Sequence, residues 1–271
     1  MGLLKAIALG VLQGLTEFLP ISSSGHLVIV QQLFPTGIEH PVAFDVCLHF
    51  GTLLAVVVYF RADLLEMARA LFTRADPDLP VDPDADYRRR WIWLLGVATL
   101  PLTLVGLSLH ESLEEAFGSI EAAGAALFVT ACLLLIASRT VHGKRGPEQM
   151  NLRDALTIGV FQAVALVPGI SRSGATITGG LLRGLDPSTA ARFSFLLSVP
   201  AILGAMVLSF ADVTDLLATD PTPILAGVAA AAITGWLAIE VMMRAVKLGR
   251  LAPFAVYCVI LGSFALLRGG G

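Results

Sequence analysis

The sequence predicts an all-α polytopic membrane protein with six transmembrane helices, two re-entrant helical hairpins and an inverted internal repeat. Three observations carry this prediction. First, 56% of the 271 residues are hydrophobic and 14% are charged, against about 25% charged in a soluble domain. Mean hydropathy is +0.80, too apolar for a surface that meets water. Second, six stretches approach the roughly 20 apolar residues that a spanning helix needs. Third, two shorter apolar stretches run into clusters of Pro, Ser and Gly, and each then resumes in a second short apolar piece.

The six predicted spans are Val42–Phe60, Trp91–Leu109, Ile120–Ser138, Ala190–Phe210, Ile224–Met243 and Ala252–Leu267. The two short stretches, Ile7–Leu19 and Ala155–Val167, cannot cross a bilayer comfortably. Backbone broken at membrane depth is tolerated only where protein or a wet cavity covers it, so each is read as one arm of a re-entrant hairpin. The apolar N-terminus has only Lys5 before it. It is interrupted by Glu17 and Pro20 and followed by no A-x-A-like cleavage site, so it is expected to stay in the mature protein. The formal net charge is -3, and no basic run suggests a nucleic-acid partner. Cys47, Cys132 and Cys258 stand alone in apolar stretches and read as inert packing.

Lysine and arginine orient the spans. The segment Arg61–Arg90 holds six, Arg139–Arg153 four, Arg172–Arg192 three and Arg244–Arg250 three, whereas His110–Gly118 and Asp212–Pro223 hold none. By the positive-inside rule the first group is cytoplasmic. Both termini and the first hairpin then belong to the outer face, and the second hairpin enters from the inside.

The hairpins are related to each other. A shift of 149 residues lays Gly10–Gly25 on Gly159–Gly174, with seven of sixteen positions identical, including Gln13/Gln162, Ser22/Ser171, Ser24/Ser173 and Gly25/Gly174. Chance pairing would give about one or two. Phe44 and Phe193 keep the same offset. Three spans separate the hairpins, so the halves (about 1–140 and 150–271 of a single membrane domain) lie in opposite orientations. Such inverted repeats place a binding site near the midplane, between broken helices.

Two polar segments carry the chemistry. In the first, Gln13 and Glu17 are four apart and share a helical face. A carboxylate at membrane depth is by default a functional residue; the bland alternative is a cap or salt bridge for the hairpin. Beyond Pro20 come Ser22, Ser23, Ser24, Gly25 and His26, hydroxyl donors beside a glycine that lets a ligand approach the backbone. The second segment holds Ser171, Arg172, Ser173, Gly174 and Thr176. The Arg172 guanidinium matches phosphate oxygens bidentately and does not lose its proton on burial, although a cytoplasmic surface arginine would also obey the charge rule. Asp45 and His49 are candidates to line the same cavity or to make an interhelical hydrogen bond. Glu240 and Arg244 read as an ordinary ion pair, Asp76–Asp86 as a solvated acidic linker, and the small residues of Gly227–Gly235 as a close-packing face.

The string QGLTEFLPISSSGH resembles the [E/Q]xxxE motif and following Ser-Gly-His of the undecaprenyl-diphosphate phosphatase family, also known as bacitracin resistance proteins. PGISRSGAT (Pro168–Thr176) is similar to that family's PGxSRSxxT motif, and FDVCLHFGTLLAV (Phe44–Val56) also resembles the family. The resemblance spans the chain. It implies removal of the terminal phosphate of undecaprenyl diphosphate, which recycles the lipid carrier for cell-wall synthesis, in a bacterial inner membrane with the site open to the periplasm or outside. It also implies a divalent cation, Mg2+ or Ca2+, at Glu17; Gln13, where many members carry Glu, either joins it or only orients Glu17. On this reading Ser23 is the nucleophile, activated by His26 or Glu17, unless metal-bound water attacks directly. Arg172 clamps the diphosphate, and Ser22, Ser171, Ser173 and Thr176 bond phosphate oxygens. The polyprenyl diphosphate and the membrane lipids are the expected partners, with a homo-oligomer left open. The rival function is an inverted-repeat transporter, most naturally a polyprenyl-phosphate flippase.

Overall fold

A computed structural model describes residues 2–34, 41–72, 83–109 and 118–269. Most of the acidic linker Asp76–Asp86 and of the segment His110–Gly118 lies outside these residues. The described chain is helical: α1 (Leu3–Phe18), α2 (Ser23–Leu33), α3 (Pro41–Tyr59), α4 (Arg61–Phe72), α5 (Pro83–Ser108), α6 (Ile120–Thr140), α7 (Leu152–Val164), α8 (Arg172–Leu182), α9 (Pro187–Leu208), α10 (Phe210–Thr219), α11 (Pro221–Lys247) and α12 (Ala252–Gly269). Among the described residues, α3, α5, α6, α9, α11 and α12 are long and apolar enough to cross a membrane. They coincide with the six stretches read from hydropathy, with ends shifted by a few residues. Two further helices, α4 and α10, follow spans directly; each buries only one or two residues and leaves large apolar side chains such as Phe72 and Phe210 exposed.

Helix starts are set by capping side chains that satisfy otherwise orphaned amides. Ser119 caps α6, and Asp186 and Asp220 cap α9 and α11, each with proline at the first helical position. Asn151 and Asp154 form a reciprocal capping box at α7. Asp154 is fully buried there and accepts a two-pronged fork from Arg145 at 3.1 and 2.7 Å, plus Arg183 Nε at 2.9 Å. Burial pushes the Asp154 carboxyl up, but hydrogen bonds from Arg145, the Asn151 backbone and Arg183, with the Arg145 charge, outweigh it and hold the carboxyl below its ordinary value. This cluster pins the start of α7 at the Lys/Arg-rich face.

The short helices occur as two pairs, α1–α2 and α7–α8, and each first arm packs on a span from the other half of the chain: α1 on α11, α7 on α5. The aligned glycines Gly10 and Gly159 make these approaches possible. A Cβ on Gly10 would lie 2.2 Å from the Gly227 carbonyl oxygen, and one on Gly159 would lie 2.6 Å from that of Ala98. The small-residue face of Gly227–Gly235 is the surface on which α1 and α3 rest, as its composition suggests. A large apolar core runs through Phe18, Val56, Trp91, Phe193, Phe195 and Met242. The two turns between the short helices face one another.

Candidate active site

Both turns are built alike. After Pro20 the chain re-enters helix at Ser23, with Ser22 Oγ accepting from the Gly25 amide at 3.2 Å; after Gly169 it re-enters at Arg172, with Ser171 Oγ accepting from the Gly174 amide at 3.1 Å. Pro20 and Gly169 occupy aligned positions. The Gly169 carbonyl accepts from Thr130 Oγ1 of α6 (2.7 Å), and the Pro20 carbonyl from Cys258 Sγ of α12 (3.9 Å). The turns touch: a Cβ on Gly25 would lie 2.9 Å from Gly169 Cα. They differ in one respect. Ser22 has φ 68°, a left-handed conformation that side chains other than glycine rarely adopt and that concentrates at functional sites, whereas Ser171 has φ -71°.

Glu17, near the end of α1, is the centre of the arrangement. Its side chain is 4% exposed and that of Arg172 17%. Glu17 Oε1 receives Arg172 Nη2, so the two motifs form an ion pair across 155 positions of sequence. Glu17 Oε2 accepts from Ser23 Oγ at 2.5 Å and from Gln13 Nε2 at 3.0 Å, and His49 Nε2 lies 3.5 Å from it. A cavity of about 260 Å³ opens beside this cluster, with Glu17, Ser22, Ser23, Ser24, Asp45, His49, Gln162, Ser171 and Arg172 as its polar lining. The helix N-termini at Ser23 and Arg172 also face it, and such termini favour an anion.

Three residues expected at the site stand elsewhere. Ser173 is buried against Ser171 Oγ and the Leu19 carbonyl, and Thr176 bonds the Arg172 carbonyl (2.8 Å) and Ser194 Oγ (2.5 Å). Three apart on α8, they share the face that packs on α1 and α9, so neither lines the cavity. His26 is not part of its lining either. A carbonyl only accepts, so His26 Nδ1 donates to the Ser22 carbonyl at 2.6 Å; Nε2 is then the acceptor for the Tyr257 hydroxyl at 2.7 Å. The rings stack 3° from parallel. With both nitrogens engaged, His26 braces the strained Ser22 backbone, and the group on the Ser23 hydroxyl is Glu17.

Asp45 and His49 do line the cavity, and they also make hydrogen bonds: Asp45 Oδ1 accepts from Gln31 at 2.8 Å, and His49 Nδ1 donates to the Asp45 carbonyl at 2.7 Å. Gln162 was not predicted as a site residue, although the repeat aligns it with Gln13. Buried on the cavity wall, it donates weakly to the Ala98 carbonyl (3.4 Å), and its Oε1 has no partner; neither has Gln13 Oε1. Tyr257 and Thr130 carry no motif and were invisible to spacing.

The geometry suits the binding of a phosphate group near an activated hydroxyl, and comparison with known proteins gives that chemistry a family. Residues 6–264 match the family described as bacitracin resistance protein BacA. The chain belongs to that family. It is also similar to proteins named undecaprenyl-diphosphatase: 40% identical to one from Methanobrevibacter smithii over 97% of this chain and 96% of the relative, 42% to one from Syntrophotalea carbinolica over 97% of each, and 44% to one from Desulfosudis oleivorans over 98% of each. With six helices among the described residues long and apolar enough to span, this BacA family member is a multi-pass membrane protein.

Proposed function

We propose that the chain hydrolyses undecaprenyl diphosphate to undecaprenyl phosphate and inorganic phosphate, returning the lipid carrier to cell-wall synthesis; bacitracin resistance follows from the family. The observation that carries this reading is Glu17, which holds the Ser23 hydroxyl on one oxygen and the Arg172 guanidinium on the other. An anion carrier would use the arginine but has no need of a hydroxyl held on a buried carboxylate.

In the proposed sequence the Arg172 fork turns from Glu17 to the terminal phosphate, where two parallel N–H bonds match its oxygens. Ser22 and Ser171 and the two helix N-termini complete the anion cradle. Ser23 Oγ attacks the terminal phosphorus while Glu17 Oε2 takes its proton. The bond from that phosphorus to the bridging oxygen breaks, and its electron pair leaves on undecaprenyl phosphate. Water then cleaves the phosphoserine, releasing inorganic phosphate and restoring the hydroxyl. Phosphoryl transfer is chiefly positioning and charge neutralisation, which explains a site with one carboxylate and one arginine at its centre.

A divalent cation fits these residues when shared with substrate. Hard cations take oxygen ligands, and Mg2+ is commonly held by one or two carboxylates plus phosphate oxygens. Glu17 Oε1, once released by Arg172, would supply one such oxygen, and the buried, partnerless Gln13 Oε1 would supply a second. Among the described residues no group of three His, Cys, Asp or Glu side chains could hold a metal by itself. The cation would neutralise charge on the diphosphate.

We place the protein in the bacterial inner membrane with the cavity open to the outside. Val42 and Asp45 lie at the start of α3, Leu102 near the end of α5 and Ala205 near the end of α9, each on the half of its span away from the arginine-rich end. The swapped packing of α1 on α11 and α7 on α5, and the matched bonds to the Pro20 and Gly169 carbonyls, support two re-entrant hairpins in an inverted repeat.

The test is phosphate release from undecaprenyl diphosphate by purified protein, with and without EDTA. Release that stops with chelation and returns with Mg2+ or Ca2+ is expected; folded protein that releases none refutes the enzyme reading.

A further inference from the structure

The cavity has a second wall. Its apolar lining includes Leu102 on α5 and Ala201, Ile202 and Ala205 on α9, together with Leu166. Both helices carry an internal proline directly before the lining residue, Pro101 before Leu102 and Pro200 before Ala201. Proline has no N–H to give the carbonyl four residues back and its ring crowds that carbonyl, so both helices are locally loosened at cavity depth. Ala201 and Ala205 are four apart and share one face, and a Cβ on the neighbouring Gly204 would meet nothing within 4 Å. Past the prolines the outer surfaces are apolar and open: Leu104 is 67% and Val207 74% exposed. The same helix segments thus line the cavity on one side and present exposed apolar side chains on another.

The undecaprenyl chain is far larger than a cavity of about 260 Å³, so with its diphosphate at Arg172 the chain must leave. We infer that it leaves sideways, through a slot between the C-terminal halves of α5 and α9 whose width is set by Ala201 and Ala205. This deepens the phosphatase reading and rests on it. The slot makes the two alanines specificity-determining residues for the length of the lipid, since a short isoprenoid ends inside the cavity and a long one must pass alongside them.

The experiment measures kcat/KM for undecaprenyl diphosphate and for dimethylallyl diphosphate, whose five-carbon chain ends inside the cavity, in Ala201→Phe and Ala205→Phe. Blocking an apolar pocket by a few carbons typically changes discrimination by about 10- to 200-fold, so the long-to-short ratio should fall by at least about tenfold. Equal losses on both substrates, or no loss on either, overturn the slot. A phenylalanine variant that does not fold is replaced by Ala205→Cys in a Cys132→Ser background, modified after folding with a bulky maleimide and read by the same ratio. If the unmodified protein hydrolyses neither diphosphate, the phosphatase reading fails, and the slot fails with it.

Discussion

Replacing Glu17 by glutamine separates the two tasks of the carboxylate. The amide nearly preserves shape but offers one acceptor oxygen where the carboxylate offers two. With that oxygen toward Ser23, the NH2 group meets the Arg172 guanidinium, donor against donor; with the amide turned over, the hydroxyl loses its proton acceptor. In either arrangement Arg172 loses its counter-charge. Removing one member of a buried pair costs about 3–5 kcal/mol, and Arg172, 17% exposed to the cavity, should sit at the lower end of that range. A positioned general base contributes about 10²- to 10⁴-fold, so kcat for phosphate release should fall by that amount. Binding should move the other way. Arg172 no longer has to leave Glu17 before it takes a phosphate, so with EDTA present, where a cation shared between Glu17 and the diphosphate plays no part, a non-hydrolysable polyprenyl diphosphonate should bind more tightly and raise the melting temperature more than it does in the parent. The assay pairs phosphate release with thermal stabilisation by that analogue. Turnover within threefold of the parent, or turnover and binding lost together, would refute the assignment of Glu17 as the base and as the resting partner of Arg172.

Arg172→Lys keeps the charge and loses the fork, and should cut turnover by roughly 10- to 1,000-fold, about what one transition-state donor is worth; phosphate release decides it. Tyr257→Phe removes only the hydroxyl on His26 Nε2, and as an indirect effect on the Ser22 backbone it should cost less than about tenfold, well short of the 10²- to 10⁴-fold expected of a general base. Gly25→Ala places a Cβ 2.9 Å from Gly169 Cα and should lower both melting temperature and turnover by forcing the turns apart. The depressed Asp154 carboxyl makes a pH-dependent contribution. Its stabilisation is fully present above the ordinary aspartate value of about 4 and is lost as pH falls through the lower folded-state value. Asp154→Asn should therefore lower the melting temperature at neutral pH, by a margin that shrinks in acid; a margin independent of pH would show that the charge is not what pins α7.

Much of the fold was legible because a bilayer enforces it. Six apolar runs of near-spanning length have one solution in lipid, and six helices stand at those positions. The helices α4 and α10 escaped because each is short and polar on one face, so hydropathy averages them into the adjoining segments. At the site, Glu17 and Arg172 stood out because isolated charges in apolar surroundings need a reason, and each is the other's partner. Residue type could not settle which face of a short helix looks into the cavity. Arg172 does, but Ser173 and Thr176, one and four residues on, face packed helices. Nor could it find partners brought together only by packing: Tyr257 reaches His26 across 231 positions and Thr130 reaches Gly169 across 39, neither within a motif.

The aligned segments Gly10–Gly25 and Gly159–Gly174 form two similar turns that carry different side chains. The frame is shared: capping serines at Ser22 and Ser171, glycines three residues further on, and carbonyls at Pro20 and Gly169 each tethered to a span. Within it, Glu17 aligns with Leu166 and Ser23 with Arg172, so one turn carries the carboxylate and hydroxyl while the other carries the cation. Each charge needs the other. A buried Glu17 without a partner would cost several kcal/mol, as would a buried Arg172, and each turn carries one of them. The Glu17–Arg172 pair thus joins the two turns, 155 positions apart in sequence, and neutralises both buried charges in one contact.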